Sequence, residues 1–335
     1  MAKIISPIAT GNGAYIIHKN IECAIKEYQV VPYHPYRTLF PPSLWPLGRK
    51  LKPSIIHTTP DHARFHKQKG VPLVVTFHNY VLDAFMRKYS TRLQSIHYQT
   101  DLKWFTKKAV LIADEITTVS QYTADLVQRE LGISKKIKVI YNGVDESTFV
   151  PSLDKTRSSG EIKVLFSGNL SNRKGAQWLI PILNKLNANV TILYTSGLRG
   201  TGGLAEHPRL VNVGRVPYKD MPQLYQSVDI LLFPTVREGF GLAAAEAMSC
   251  GLPVVATNCS SLPELVDEGQ GGFLCGLGGV DDFATKINLL AENKTFRKEM
   301  GEYNRAKVER LFTLNRMVFE YKNLFQQVLD DASSQ

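Results

Sequence analysis

Two acidic side chains bracket a glycine turn and an alanine run in "REGFGLAAAEAMSCGLPVV", residues 237–255. Glu238 stands just before Gly239, Phe240 and Gly241, and Glu246 lies among the alanines that follow. The glycines predict a loop. The alanines predict a helix that opens near Leu242 and stops at Gly251, ahead of Pro253. A helix N-terminus presents unpaired N–H groups and a partial positive charge, an anion site suited to phosphate. Gly239 and Gly241 carry no side chain that would hold a phosphate away. Glu246, about one turn inside the helix, is better matched to neutral hydroxyls such as the pair on a ribose, accepting from both. Glu238 is placed to meet hydroxyls at the other end of the ligand. Phosphate between, ribose on one side and sugar on the other describe a nucleotide diphosphate sugar.

Elements must hold these groups in place, and the chain has the grammar for them. Its 335 residues, 44% hydrophobic and 21% charged, are globular in composition and long enough for two domains. In the first half, strands are expected over 2–9, 28–33, 53–59, 72–79, 115–120 and 136–143. Helices are expected over 14–27 and, capped by Ser120, over 120–131. The second half restarts with strands over 161–170, 189–197, 209–214, 228–235 and 252–258. Strands separated by helices imply parallel pairing through crossovers. The polar, turn-rich stretch 150–161 is read as the linker, and one amphipathic helix as the segment after 312. The predicted fold class is α/β: two tandem Rossmann-like doubly wound domains facing a central cleft. The domains are 1–152 and 153–312, with 313–335 a helix packing toward the first.

Charge divides unevenly. Residues 1–150 hold 20 Lys+Arg against 11 Asp+Glu, and residues 151–335 hold 20 against 19, so nearly all of the net +10 belongs to the first half. That half is expected to face something anionic: a phosphorylated substrate, a membrane surface or nucleic acid. Cations interleave with aromatics over 85–108, where Arg87, Lys88, Arg92, Lys103, Lys107 and Lys108 accompany Tyr89, Trp104 and Phe105. Two readings stay open there: a solvated helix face, or peripheral contact with an anionic membrane. No run of about 18 uncharged apolar residues occurs, and no leader with a cleavage site is expected. Cys23, Cys250, Cys259 and Cys275 lack metal-ligand spacing and read as reduced thiols of a cytoplasmic protein, with no metal site expected.

"EGFGLAAAE" resembles the E-x7-E motif of retaining glycosyltransferases of the GT-B fold, in glycosyltransferase family 4. Other segments fall in the matching order: "VTFHN" ending in His78, "TTVSQYTADLV", "VIYNGVDESTF", "FSGNLSNRKG" and "GFLC". The resemblance implies a donor diphosphate held by the loop of Gly168, Arg173 and Lys174. It also implies a base held by backbone near "GRVP", at Val216, and a His78 beside donor sugar and acceptor. Gly11 and Gly13 read either as turn glycines or as a loop approaching phosphate or acceptor. Two places depart from the pattern. Asn169 stands where the family commonly has arginine, so that Arg173 becomes the expected substitute, and Asn79 follows the histidine where aspartate is common.

The reaction so implied moves a sugar from a nucleotide-diphosphate sugar, UDP by expectation, to an acceptor hydroxyl with retention. Its setting is cell-surface polysaccharide, lipopolysaccharide or glycolipid synthesis, with a saccharide or lipid-linked acceptor. His78 and Glu238 are the expected catalytic pair. No metal or other cofactor is expected, because Asp281 and Asp282 open a helix rather than form a D-x-D metal motif. No nucleic-acid partner is expected, since a basic nucleic-acid binder would leave the two glutamates idle. A nucleotide-sugar epimerase of the same architecture, or a non-catalytic nucleotide-sugar-binding subunit, are the competing readings.

Overall fold

The computed structural model describes residues 3–152, 160–196 and 204–334. The middle of the linker stretch (153–159) and the last residue of the expected strand 189–197 lie outside them. All eleven strands expected from the sequence form, and "GFLC" adds a twelfth.

The first unit holds β1 (Ile4–Ala9), β2 (Tyr28–Tyr33), β3 (Ile55–Thr58), β4 (Leu73–Phe77), β5 (Glu115–Thr118) and β6 (Lys138–Val139). They pair in the order β2-β1-β3-β4-β5-β6, every pair parallel. The second holds β7 (Ile162–Phe166), β8 (Val190–Thr195), β9 (Leu210–Gly214), β10 (Ile230–Phe233), β11 (Val254–Thr257) and β12 (Gly272–Cys275). Their order is β12-β11-β10-β7-β8-β9, again parallel throughout. Central strands such as "LVVTF" and "ILLF" are apolar along nearly their whole length because helices cover both faces of a parallel sheet. Ile5, Ile56, Val75, Phe77 and Ile116 are core residues of the first sheet, and Val164, Phe166, Ile192, Leu232 and Val255 of the second.

The chain divides into compact units between Gly143 and Val144, and returns between Thr313 and Leu314. This places the first boundary ahead of the polar stretch that composition suggested. The reason lies in residues 144–149, which are built into the second unit. Val144 donates its N–H to the Phe312 carbonyl at 2.8 Å, and Phe149 is buried beside the Tyr225 ring. The Phe149 carbonyl accepts from Ser249 and from Arg305, at 2.7 Å each. The last helix, Leu314–Ser333, belongs to the first unit and turns its buried face, including Met317, Tyr321, Leu324 and Phe325, inward.

In the second sheet the strand order reverses between β7 and β10, and open α/β sheets bind ligands outside the carboxyl ends of strands at such a point. The loops that leave β7 and β10 are the ones carrying Lys174 and Glu238.

Candidate functional site

After β7 the chain runs through Gly168 to a single 3-10 turn, Asn172–Lys174, and then to Gly175 in left-handed backbone at φ 82°. A Cβ on Gly175 would stand 2.1 Å from the Pro234 carbonyl oxygen, so only glycine lets the loop pass this close to the end of β10. The two loops are also stitched together: Val236 N–H donates to the Arg173 carbonyl at 2.8 Å, and Thr235 Oγ1 lies 3.1 Å from the same oxygen.

The result is an ion pair. Lys174 Nζ donates to Glu238 Oε1 at 2.6 Å, and Thr235 Oγ1 lies 2.8 Å from that oxygen. Lys174 also lies 5.4 Å over the Phe233 ring. Burial pushes the Glu238 carboxyl up, but the Lys174 and Arg173 charges, with hydrogen bonds from Lys174 and Thr235, hold it below the usual range. Glu238 is therefore ionised and already partnered. Its N–H donates to Ser260 Oγ at 3.0 Å, and Ser260 adopts a left-handed φ of 51° to offer it. Strained backbone of this kind clusters at functional sites.

Gly241 then turns at φ 98° and caps the helix Leu242–Ser249. A Cβ there would approach Leu262 Cδ2 to 3.1 Å. The first N–H groups bonded within this helix are those of Ala244 and Ala245, both to the Gly241 carbonyl, which leaves the N–H groups of Leu242 and Ala243 as the open donors of its first turn. Gly239 and Phe240 are buried in the same turn, with the Phe240 ring edge-on to Phe312 at 5.5 Å.

Glu246 faces inward from this helix and is 4% exposed. Tyr225 donates its hydroxyl to Oε2 at 3.1 Å, and the Tyr218 hydroxyl is a second partner. Burial raises the Glu246 carboxyl to about 7, against the lowering effect of the two tyrosines. A carboxylate offers about four lone-pair positions, so two tyrosine donors leave room for a diol. Val216 sits half-buried on the loop after β9, two residues before Tyr218, so the "GRVP" segment delivers one of these tyrosines. Elsewhere in the unit, Asp282 accepts from Gly276 N–H at 3.1 Å and Asp281 pairs with Lys185 at 2.6 Å.

Within the second unit, then, Gly168, Arg173, Lys174, Glu238, Gly239, Phe240, Gly241, Leu242 and Glu246 sit on adjoining loops and one helix. The first unit holds Gly13 and His78. Gly13 opens the helix Gly13–Ala24, capped by Asn12, whose Oδ1 accepts from Tyr15 N–H at 2.8 Å. Gly11 carries the left-handed φ of that turn, 78°, and space around both glycines is open. His78 follows β4. Its Nε2 lies 3.0 Å from His18 Nε2, its Nδ1 is buried without a partner, and burial lowers its pKa to about 4. His78 is a neutral imidazole at pH 7.

Two family models match the chain in tandem: "Glycosyltransferase Family 4" over residues 7–148 and "Glycosyl transferases group 1" over 161–293. The chain belongs to glycosyltransferase family 4. Among its relatives is a capsular polysaccharide biosynthesis glycosyltransferase of Staphylococcus aureus, 24% identical over 306 residues that span 80% of each chain. The GT-B fold is shared with sucrose-phosphate synthase of Thermosynechococcus elongatus, at a TM-score of 0.83, 18% identity and coverage of 98% and 100% of the two chains. It is shared also with HepE of Anabaena, solved with UDP-glucose, at 0.79, 22% identity and full coverage of both.

For a family 4 glycosyltransferase, several site residues escaped the sequence. Gly175 follows Lys174 in the quoted loop, yet only the approach of Pro234 makes it obligatory. Tyr218 precedes the short helix Met221–Gln226 and Tyr225 lies within it, and both read as ordinary amphipathic positions. His18, Tyr28 and His57 are scattered through the first half with no spacing to join them.

Proposed function

We propose that the protein is a retaining glycosyltransferase that moves a sugar from a UDP-linked donor to an acceptor hydroxyl. The observation that carries this reading is the meeting of the Lys174–Glu238 pair with the open N-terminus of the helix that bears Glu246. The donor diphosphate would lie on the N–H groups of Leu242 and Ala243, facing the Lys174 ammonium, with Arg173 adding charge from the same turn. Glu246, joined to Tyr218 and Tyr225, would accept the ribose hydroxyls. Glu238 would accept sugar hydroxyls, its charge held in place by Lys174 and Thr235. UDP is favoured because HepE, of the same fold, binds UDP-glucose.

In the reaction the bond between the anomeric carbon and the diphosphate oxygen breaks, and the acceptor oxygen bonds to that carbon on the same face. The acceptor proton passes to the departing phosphate. Negative charge grows on the diphosphate, and Lys174, Arg173 and the helix donors stabilise it without needing a metal. His78, neutral, would hydrogen-bond a hydroxyl of the acceptor.

The acceptor we propose is a growing polysaccharide or glycolipid, as the name of the capsular relative suggests. Surface chemistry of the first unit supports contact with an anionic membrane. Ile96, Trp104 and Leu111 are exposed along the segment that carries Arg87, Lys88, Arg92, Lys107 and Lys108. Phe105 instead packs inward on Phe65. Across the short helix Ala63–His66, which touches both segments, Tyr36, Leu39, Phe40 and Trp45 are exposed on the stretch that carries Arg37 and Lys50. Aromatics flanked by cations suit a membrane interface. No helix among the described residues is long and apolar enough to cross a membrane.

A thermal-shift panel of nucleotide sugars, followed by donor turnover with the product anomer read by NMR, tests the reading. A donor at 100 times its dissociation constant stabilises by roughly 2.7 kcal/mol. An inverted product would overturn retention, and a panel in which no nucleotide sugar binds or turns over would overturn the whole.

A further inference from the structure

Five neighbouring strands of the first sheet, β2, β1, β3, β4 and β5, contribute one polar side chain each to a single buried chain of hydrogen bonds. It starts at His78, whose Nε2 is 3.0 Å from His18 Nε2. His18 Nδ1 lies 2.6 Å from Ser6 Oγ and 2.8 Å from the Tyr28 hydroxyl. That hydroxyl is 2.8 Å from His57 Nδ1, and His57 Nε2 is 2.7 Å from Thr76 Oγ1. Thr76 Oγ1 is 2.6 Å from Thr117 Oγ1 and 3.4 Å from the Tyr321 hydroxyl. His18 and His57 are wholly buried and stack at 4.4 Å. The last helix covers them: Tyr321 is 5.2 Å from the His57 ring, and Phe325 is 5.4 Å from His57 and 5.9 Å from Tyr28.

So many polar groups in a sheet core cost stability unless each is paired. Burial keeps all three histidines neutral, reinforced at His18 and His57 by repulsion from the neighbouring rings. Each ring therefore carries one proton, and at His18 the chain has two senses, with that proton on Nδ1 or on Nε2. Ser6 decides between them. Were His18 Nδ1 bare, its one lone pair would face two hydroxyl groups at 2.6 and 2.8 Å and could serve only one. Protonated, the same nitrogen shares its N–H between the two oxygens, and Ser6 turns its own proton to the Tyr28 oxygen, with which it is hydrogen-bonded. Tyr28 then donates to His57 Nδ1, His57 Nε2–H to Thr76, and Thr76 to Thr117. At the other end His18 Nε2 is bare, so His78 Nε2–H donates to it.

We infer that Ser6, His18, Tyr28 and His57 are positioning residues that hold His78 in the Nε2–H tautomer, with its Nδ1 a bare acceptor for a hydroxyl donor. The inference rests on the reading of His78 as a substrate-facing residue. The last helix takes part as well, because Tyr321 and Phe325 keep water from competing for the chain.

The test is a long-range proton–nitrogen correlation spectrum of histidine-labelled protein, which reads tautomers directly, with the His78 signals assigned by their loss in His78→Gln. The parent should show His78 protonated at Nε2 alone. Tyr28→Phe keeps the ring against Phe325 but frees Ser6 to donate or accept, and Ser6→Ala removes the two-oxygen constraint by a smaller change. In either variant the two senses become nearly equal, so about half of His78 should move to the Nδ1–H form. The kcat should fall about twofold with the donor KM unchanged. A parent His78 protonated at Nδ1, or a tautomer that both variants leave unchanged, would overturn the inference. The spectrum needs no substrate, so a tautomer that behaves as stated in a protein that transfers no sugar would sink the transferase reading and leave the relay standing.

Discussion

Replacing Glu246 by glutamine isolates one carboxyl group whose burial has a definite energetic sign. Its folded-state value of about 7 stands against an ordinary 4.5, and the group is 4% exposed. Below pH 4.5 the carboxyl is neutral folded and unfolded, so it adds no pH-dependent cost. As pH rises from 4.5 to 7 the unfolded chain ionises first, and folding loses stability. Above 7 the loss is complete, at about 3 kcal/mol, since each tenfold change in proton affinity is worth about 1.4 kcal/mol. Glu246→Gln keeps the shape, still accepts the Tyr225 hydroxyl, and is neutral at every pH. The variant should therefore match the parent near pH 4.5 and exceed it by about 3 kcal/mol at about pH 8. For a unit of this size that is roughly 6–12 °C in Tm. Paired calorimetric melts at the two pH values measure it. An amide serves a diol less well than a carboxylate does, so the stabilisation that a UDP-sugar adds should shrink as intrinsic stability grows. A gap that is absent at the higher pH, or equal at both, would refute the account of Glu246 as a buried acid whose carboxyl is raised to about 7.

Other perturbations follow from the same geometry. Lys174→Ala removes the ion-pair partner of the Glu238 carboxylate, leaving Thr235 and the Arg173 charge, and should cost about 3 kcal/mol in urea unfolding, along with donor affinity and rate. Adding Glu238→Ala should restore most of the stability and none of the activity, whereas stability that stays low in the double variant would deny the pairing. Gly175→Ala should cost at least about 1–2 kcal/mol from left-handed backbone alone, and weaken donor binding as the Lys174 loop leaves Pro234. Unchanged kinetics in Arg173→Ala would show that this arginine does not replace the one absent at Asn169. Liposomes rich in anionic lipid should sediment the protein at low salt and release it at high salt, and Trp45→Ala with Trp104→Ala should weaken the low-salt binding. Equal, negligible sedimentation with neutral and anionic lipid would remove the membrane from the proposal.

What the sequence determined by itself was local and periodic. Apolar β-branched runs separated by helical stretches foretold the parallel strands, because alternation and propensity act over a few residues. Gly239, Gly241, the alanines and Gly251 marked the loop, helix and stop around Glu238 and Glu246, because cap and turn chemistry is also short-range. Tertiary structure decided the partnerships. Lys174 was legible as a cation on a glycine loop. That its ammonium meets Glu238 depends on β7 and β10 becoming neighbours at the reversal of strand order, 64 residues apart in sequence. Composition misplaced the first domain boundary, since Phe149 is fixed by Ser249 and Arg305, far along the chain. The histidine chain shows the limit most plainly. His18, His57 and His78 have no common spacing, so the sequence offers nothing that joins His78 to the other two. Only a parallel sheet stacks Tyr28, Ser6, His57, Thr76 and Thr117 from five strands onto one path, under a helix that arrives from the other end of the sequence.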